Sequence, residues 1–431
     1  MERNMINMKS LKLFFVFITM AVSIFSCSKQ DEQTSAPWRP APVQDGVPVV
    51  EVYVDGEEEV ISKDDYLKAT IIITEDGKPS FSSRGKIKGR GNFTWNYPKK
   101  PYKIKFDEKQ SVFGFPENKD WVLLADYCDK SLMRTAYMCE LSAALETDYQ
   151  LRYRHVKLYI NKEYRGVYTF IDQIEKKKHR VDIEDDGYLF ENDNYYMNEP
   201  LHFTTSVKRY PFTFKYPDPE DGEIAEGDEK YEYIRNFMNS FESLLYSDGF
   251  LSRDGYRNMV DLHSFAKWFI LAELTATQDP NMYYVLPTRG AKLQTGPLWD
   301  SEYSFGISYR SDPAGAWATP PFEPVWDQKI WSRWKYYSRM LKDPFFIEAI
   351  KAEWAVLKER IPAVQEKMAA VSENVSGAQK SNFEKWQILD SYEGAGLICL
   401  GSWEAEVEYC AEFLRQRVVW LDGFIADLEW M

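Results

Sequence analysis

Apolar and polar positions alternate with period two early in the chain and follow a helical period late in it, which predicts strands first and helices last. Val47–Val54 alternates and stops at the turn Asp55-Gly56, and Lys68–Thr74 reads as a second strand ending before Glu75-Asp76-Gly77. Gly85–Asn92 and Tyr102–Phe106 continue the series; in the latter, Tyr102, Ile104 and Phe106 share one face and Lys103 and Lys105 the other. Asp129 is placed to cap a helix over Lys130–Leu145, with Leu132, Ala136, Cys139 and Ala143 on one stripe. Strands resume at Val156–Ile160 and, past an Asn161-Lys162 turn, at Gly166–Ile171.

Residues 214–229 are charged and contain Gly and Pro, which marks a surface insertion or a connection between lobes. Phe265, Trp268, Phe269 and Ala272 then form the stripe of a buried helix leading toward Asp279. Two short strands joined by a Gly-containing turn follow, so that Asp279 and Asp300 reach one end of a hairpin. Ser311–Pro324 has the composition and length of a lid. Trp326, Trp331 and Trp334 are spaced for helix packing rather than for stacking on sugars. Trp403, Val407, Cys410, Leu414, Val418, Leu421, Ile425 and Leu428 recur in steps of three and four, a core seam.

The chain has 431 residues, of which 44% are apolar and 16% aromatic, enough to bury a large core. Its formal charge of −14 argues against a nucleic-acid partner, which requires a basic field. Against that background residues 84–109 form a cationic island: Arg84, Lys86, Lys88, Arg90, Lys99, Lys100, Lys103, Lys105 and Lys109 against Asp107 and Glu108. It suits either an anionic ligand or a solvated strand face.

Arg3, Lys9 and Lys12 precede an apolar run from Leu13 to Phe25, and Ile24-Phe25-Ser26-Cys27 resembles a lipobox. Residues 1–26 therefore read as a lipoprotein signal peptide, Cys27 as the lipidated residue and 27–46 as a flexible tether. The acidic stretch after Cys27 resembles a surface-export signal of some Gram-negative lipoproteins, so an outer-membrane, surface-exposed lipoprotein of the cell envelope is expected. Cys128, Cys139, Cys399 and Cys410 lack metal-ligand spacing and read as small buried hydrophobes rather than bridge partners.

Five blocks together resemble the spore-coat protein H (CotH) kinase family: Lys88–Trp95 (KGRGNFTW), Lys99–Phe106 (KKPYKIKF), Trp121–Arg134 (WVLLADYCDKSLMR), Leu158–Tyr168 (LYINKEYRGVY) and Gly296–Gly306 (GPLWDSEYSFG). The resemblance implies an α+β, divergent protein-kinase-like fold over residues 47–431, with a strand-rich lobe over 47–200 and a mostly helical lobe over 230–431. It implies ATP and Mg2+ as cofactors, Asp279 as the catalytic base and Asp300 as a metal ligand. Asn281 and Glu302 are candidates to complete the metal site, because hard cations favour oxygen donors. Arg90, Lys100, Lys103 and Lys105 belong to the basic block and are candidates for phosphate contact. Gly89 and Gly91 would let backbone N–H groups approach phosphate, and Glu140 could pair with a phosphate-binding lysine or face solvent. Glu302, Asp172 and Thr135 depart from the residues usual in the family, which are aspartate, glutamate and asparagine.

The sequence thus points to an extracytoplasmic atypical kinase transferring the γ-phosphoryl of ATP to a protein Ser/Thr or another hydroxyl acceptor in the envelope. The alternative is a kinase-like surface lipoprotein without turnover, serving as a scaffold or as a glycan- or cell-wall-binding module. For the anchor, a Cys27→Ser protein should lose metabolic incorporation of labelled fatty acid, and labelling equal to wild type would refute lipidation at Cys27.

Overall fold

A computed structural model describes residues 38–39, 46–277, 282–307, 335–394, 396 and 398–429. Seven strands close into a barrel: β1 (Val49–Val54), β2 (Leu67–Glu75), β3 (Lys78–Gly89), β4 (Tyr102–Gln110), β5 (Asn118–Leu124), β6 (Tyr153–Ile160) and β7 (Glu163–Asp172). Their order is β1-β2-β3-β4-β5-β7-β6, and parallel pairing of β6 with β1 completes the circle. Alternation fixes the two sides of this wall. Val50, Val52, Ile71, Ile87, Ile104 and Phe106 fill the interior with Trp121 and Phe170, whose rings stack 4.9 Å apart. The β6–β7 hairpin turns at Asn161 and Lys162, both with positive φ, as a tight right-twisting turn demands.

Between β5 and β6 lies α1 (Arg134–Ala144). It begins later than Asp129 alone suggests, because Leu132 is left-handed at φ 59° and Asp129 serves the loop before the helix. The Asp129 carboxylate accepts from Ser131 N at 3.0 Å and from Arg134 N at 2.8 Å. A second, five-stranded sheet has the order β12-β11-β8-β10-β9. It takes β8 (Tyr188–Asn192), β9 (His202–Thr204) and β10 (Pro211–Tyr216) from one stretch of chain and β11 (Met282–Leu286) and β12 (Gln294–Thr295) from another. Strands from both expected lobes therefore share one sheet, and the described residues from Arg39 onward pack as one compact unit. The fold is α+β.

The helices are α2 (Glu229–Leu245), α3 (Leu262–Leu274), α4 (Lys335–Met340), the long α5 (Pro344–Lys385) and α6 (Trp403–Ala426). The side chain of Asp261 caps α3, accepting from His263 N and Ser264 N at 3.0 and 3.2 Å. The α6 seam is as expected at Trp403, Cys410, Leu414, Leu421 and Ile425, whereas Val407 and Val418 are half-buried and Leu428 lies past the end of the helix. The seam also carries two buried charges, Glu406 and Arg417, that hydrophobic periodicity passes over; Arg417 Nη2 meets Glu273 Oε2 of α3 at 2.7 Å. Among the described residues no helix is long and apolar enough to cross a membrane. The four described cysteines are free thiols; Cys128, Cys139 and Cys410 are buried and Cys399 half-buried.

Arg134 joins these parts. Its fully buried guanidinium pairs with Asp129, donates from Nε to the Ser304 carbonyl at 3.1 Å, and lies 4.0 Å from Glu406 of α6. Arg134→Met should lower stability by about 3–5 kcal/mol, because it leaves Asp129 buried without its counter-charge. Urea unfolding measures this, and an unchanged midpoint would contradict the assignment.

Candidate active site

Between β3 and β4 the chain makes a short 3-10 turn, Phe93–Asn96, and then runs Tyr97-Pro98-Lys99-Lys100-Pro101 into β4. One side of this loop borders a cavity of about 630 Å³. Strand ends and loops bring to it Arg90, Lys99 and Lys215 as cations, and Asp126, Glu191, Asp193, Glu199, Asp300 and Glu302 as carboxylates. An acid-rich cleft with a few cations suits a polyanion that arrives with a metal.

Lys99 is buried and donates from Nζ to the Val167 carbonyl at 2.5 Å. Desolvation drives its pKa down, opposed by the charges of Asp126, Glu302 and Asp129. Asp126, left-handed at φ 46° and buried, accepts from Thr169 Oγ1 at 2.6 Å and from Thr135 Oγ1 at 3.4 Å. Burial and the neighbouring Asp129 push its carboxyl up. Glu302 Oε1 accepts from Cys128 N at 2.6 Å. Burial first, then Asp126 and Asp300, raise Glu302 to about 8.

Asp300 is exposed at the cavity and holds a left-handed backbone, φ 69°, which is strained for a residue with a Cβ and recurs at functional sites. Arg90 is half-buried, lies 5.5 Å over the Trp299 ring and feels the charge of Asp300. The exit of α3 is tied to the segment after Asp300, since Phe305 N donates to the Thr275 carbonyl at 2.6 Å. Behind Asp300, Tyr97 and Tyr303 join hydroxyls at 2.7 Å, and Tyr303 donates to Cys128 Sγ at 3.2 Å.

Of the residues singled out from the sequence, Arg90, Gly91, Asp300 and Glu302 meet at this cavity. Lys100, Lys103 and Lys105 do not line it. Lys100 Nζ turns to the other side of the loop and donates to the Trp95 carbonyl at 2.6 Å. Lys103 and Lys105 stand on the outer face of β4, 3.2 and 3.7 Å from Asp120, where strand alternation puts them when Tyr102, Ile104 and Phe106 face inward. Gly89 serves packing rather than phosphate approach: its N–H is bound to the Ser62 carbonyl, and a Cβ there would lie 2.3 Å from the Trp95 ring. Glu140 neither faces solvent nor meets Lys99; it is buried and pairs with Lys367 of α5 at 2.6 Å. Asp172 is likewise structural, bridging Arg152 and Arg180 at 2.7 and 2.9 Å. Asp279, Asn281, the 311–324 lid, Trp326, Trp331, Trp334 and Cys27 lie outside the described residues.

The family model described as CotH kinase protein matches residues 87–421, most of the chain. The chain belongs to the CotH kinase family. No curated protein matches it. The family match runs past residue 305 and takes in α5 and most of α6.

Six charged residues at this cavity were not among the site candidates read from the sequence, the buried Lys99 and Asp126 foremost. Both lie within quoted family blocks, but nothing in the residue pattern separates Lys99 from Lys100, or Asp126 from Asp129. In an unfolded chain Glu302 ionises near 4.5, against about 8 when folded. Between those values the unfolded chain gives up its proton first, so the metal-free protein should lose stability as pH rises through that window. Melting temperatures in chelator should fall with pH, and fall less steeply in Glu302→Gln, which keeps the acceptor for Cys128 N. Parallel slopes would contradict the buried, proton-holding carboxyl.

Proposed function

We propose that this protein is an ATP-dependent phosphotransferase that phosphorylates a hydroxyl of an envelope acceptor, such as a protein Ser or Thr. The observation that carries this reading is the buried trio Lys99, Asp126 and Glu302 in the cavity of a CotH kinase family member. The cavity volume falls within the range of about 300–1,000 Å³ usual for small-molecule sites. Among the described residues no three acids, histidines or cysteines gather to hold a metal by themselves, so a hard divalent cation beside Asp300 and the raised Glu302 carboxyl would draw further oxygen donors from elsewhere. Asp300 and Glu302 would hold that cation, with Asn281 as a further oxygen donor. Bound there, Mg2+ would neutralise phosphate charge during transfer.

The chain's own residues would do the rest. Lys99 and Arg90 would bind phosphate oxygens in a partly desolvated cleft, where fixed positive charge is worth more than in water. Asp279 would accept the acceptor hydroxyl's proton, on a segment that leaves α3 where Thr275 is tied to Phe305. The barrel would be the strand-rich lobe of a divergent kinase and α3 with α5 and α6 its helical counterpart. Cys27 would anchor the protein to the envelope membrane through a tether.

A second reading, a kinase-like scaffold or glycan-binding surface protein without turnover, draws on two contacts. Lys99 is engaged by a backbone carbonyl, and the α1 carboxylate Glu140 is taken by Lys367.

The test is radiolabel transfer from ATP to envelope proteins or to the protein itself, with Lys99→Met, Asp300→Ala and Asp279→Asn as variants. Each should lower transfer by roughly two orders of magnitude or more, as removal of charge-stabilising groups does elsewhere. Equal labelling by all four proteins would refute the residue assignments. A melting temperature raised by Mg-ATP with no transfer would favour the second reading.

A further inference from the structure

The loop between β3 and β4 has a second side. There, a separate pocket of about 240 Å³ opens, room for about eight waters at roughly 30 Å³ each and so for one ring-sized group. Trp95, Tyr102, Tyr168 and Trp386 supply aromatic walls, and Lys100 and Arg165 supply charge. None of these six residues borders the larger cavity.

The charges decide what such a pocket takes. Aromatic walls usually suggest a cationic ligand, but three of these rings already have a lysine over them. Lys100 lies 5.3 Å from the Trp95 centroid, Lys99 4.8 Å from Tyr168 and Lys385 5.3 Å from Trp386. A further cation would meet repulsion. Arg165 is held from one end only, Nη2 to Glu163 at 3.1 Å, while its Nε is buried and hydrogen-bonded to nothing among the described residues. The Arg165 side chain as a whole is one-fifth exposed, and a carboxylate in the pocket would pair with its charge. The wall also includes Glu59, an acceptor with no use for a ligand that lacks donors. A ring that carries a carboxylate for Arg165 and Lys100, hydroxyls for Glu59, and C–H faces for the indoles meets all three demands.

We propose that this pocket binds a hexuronate, a pyranose ring bearing one carboxylate, either free or as a residue of an acidic polysaccharide. The site is independent of the nucleotide reading, since none of the residues that reading places on phosphate or metal lines it. Trp386 is fixed for this role: its Nε1 donates to the Arg165 carbonyl at 2.8 Å, and a Cβ on the intervening Gly166 would come within 2.9 Å of that nitrogen. The Tyr168 hydroxyl, bound to the Lys100 carbonyl at 2.9 Å, holds the lysine's backbone on this side.

Isothermal titration calorimetry of the purified protein with galacturonate, trigalacturonate and galactose tests the proposal. Saturable millimolar binding of the acids and none of galactose is expected. Tighter binding of the trimer would identify a polysaccharide as the source, and equal binding the free sugar. Arg165→Gln should weaken the acid at least about tenfold and Lys100→Gln less, with melting temperatures near wild type showing that both variants fold. Absence of heat with both acids, binding of galactose equal to that of galacturonate, or undiminished binding by Arg165→Gln would each overturn it.

Discussion

The ion pair of Arg134 with Asp129 is the constraint on which the remaining arrangement depends. A guanidinium removed from water loses several kcal/mol of hydration, which acceptors and nearby negative charge must offset. Here these come from distant parts of the chain: the Asp129 carboxylate from the loop after the barrel's fifth strand and the Ser304 carbonyl from the segment after Asp300 accept from it, and Glu406 of the last helix adds its charge at 4.0 Å. Displacing any of them exposes the cost of the others. The pair therefore fixes where the barrel, the acid-bearing segment and the C-terminal helix meet.

The cavity inherits its electrostatics from that junction. Asp129 is neutralised by Arg134 yet still adds to the field at Asp126 and Glu302. Carboxyls beside one another in a place short of water hold their protons to higher pH than exposed ones. Lys99, pulled the opposite way by the same burial, is the one lysine of the basic island inside that field. A site whose acids and lysine are both driven toward neutrality would gain charge if a metal and an anion arrived together, as the proposed phosphoryl transfer requires.

The loop from Phe93 to Lys100 divides the two pockets. Phe93, Tyr97 and Lys99 face the large cavity, while Trp95, Pro98 and Lys100 face the smaller one. Its shape is held by close packing: Trp95 covers Gly89, and Tyr97 is locked to Tyr303. The same short segment thereby shapes two chemically different surfaces, one acid-rich and one aromatic and cationic.

Short-range regularities were legible in the sequence. Period two put Tyr102, Ile104 and Phe106 inside and Lys103 and Lys105 outside, and the same alternation removes those lysines from any site inside the wall. The helical seam of the last helix was visible, as was the hairpin that delivers Asp300, because the chain repeats its apolar residues at the geometry of the element. Tertiary structure alone decided which neighbours in irregular stretches meet. Lys99 and Lys100 stand between two prolines, where no periodicity assigns a direction, and their partners Val167 and Trp95 are set by folding. Asp129 looked like a helix cap and became the counter-charge of Arg134, and Glu406 and Arg417 interrupted an apolar seam as buried charges. Burial of a charge is settled by what arrives from far along the chain to compensate it, and the local residue pattern carries no record of that.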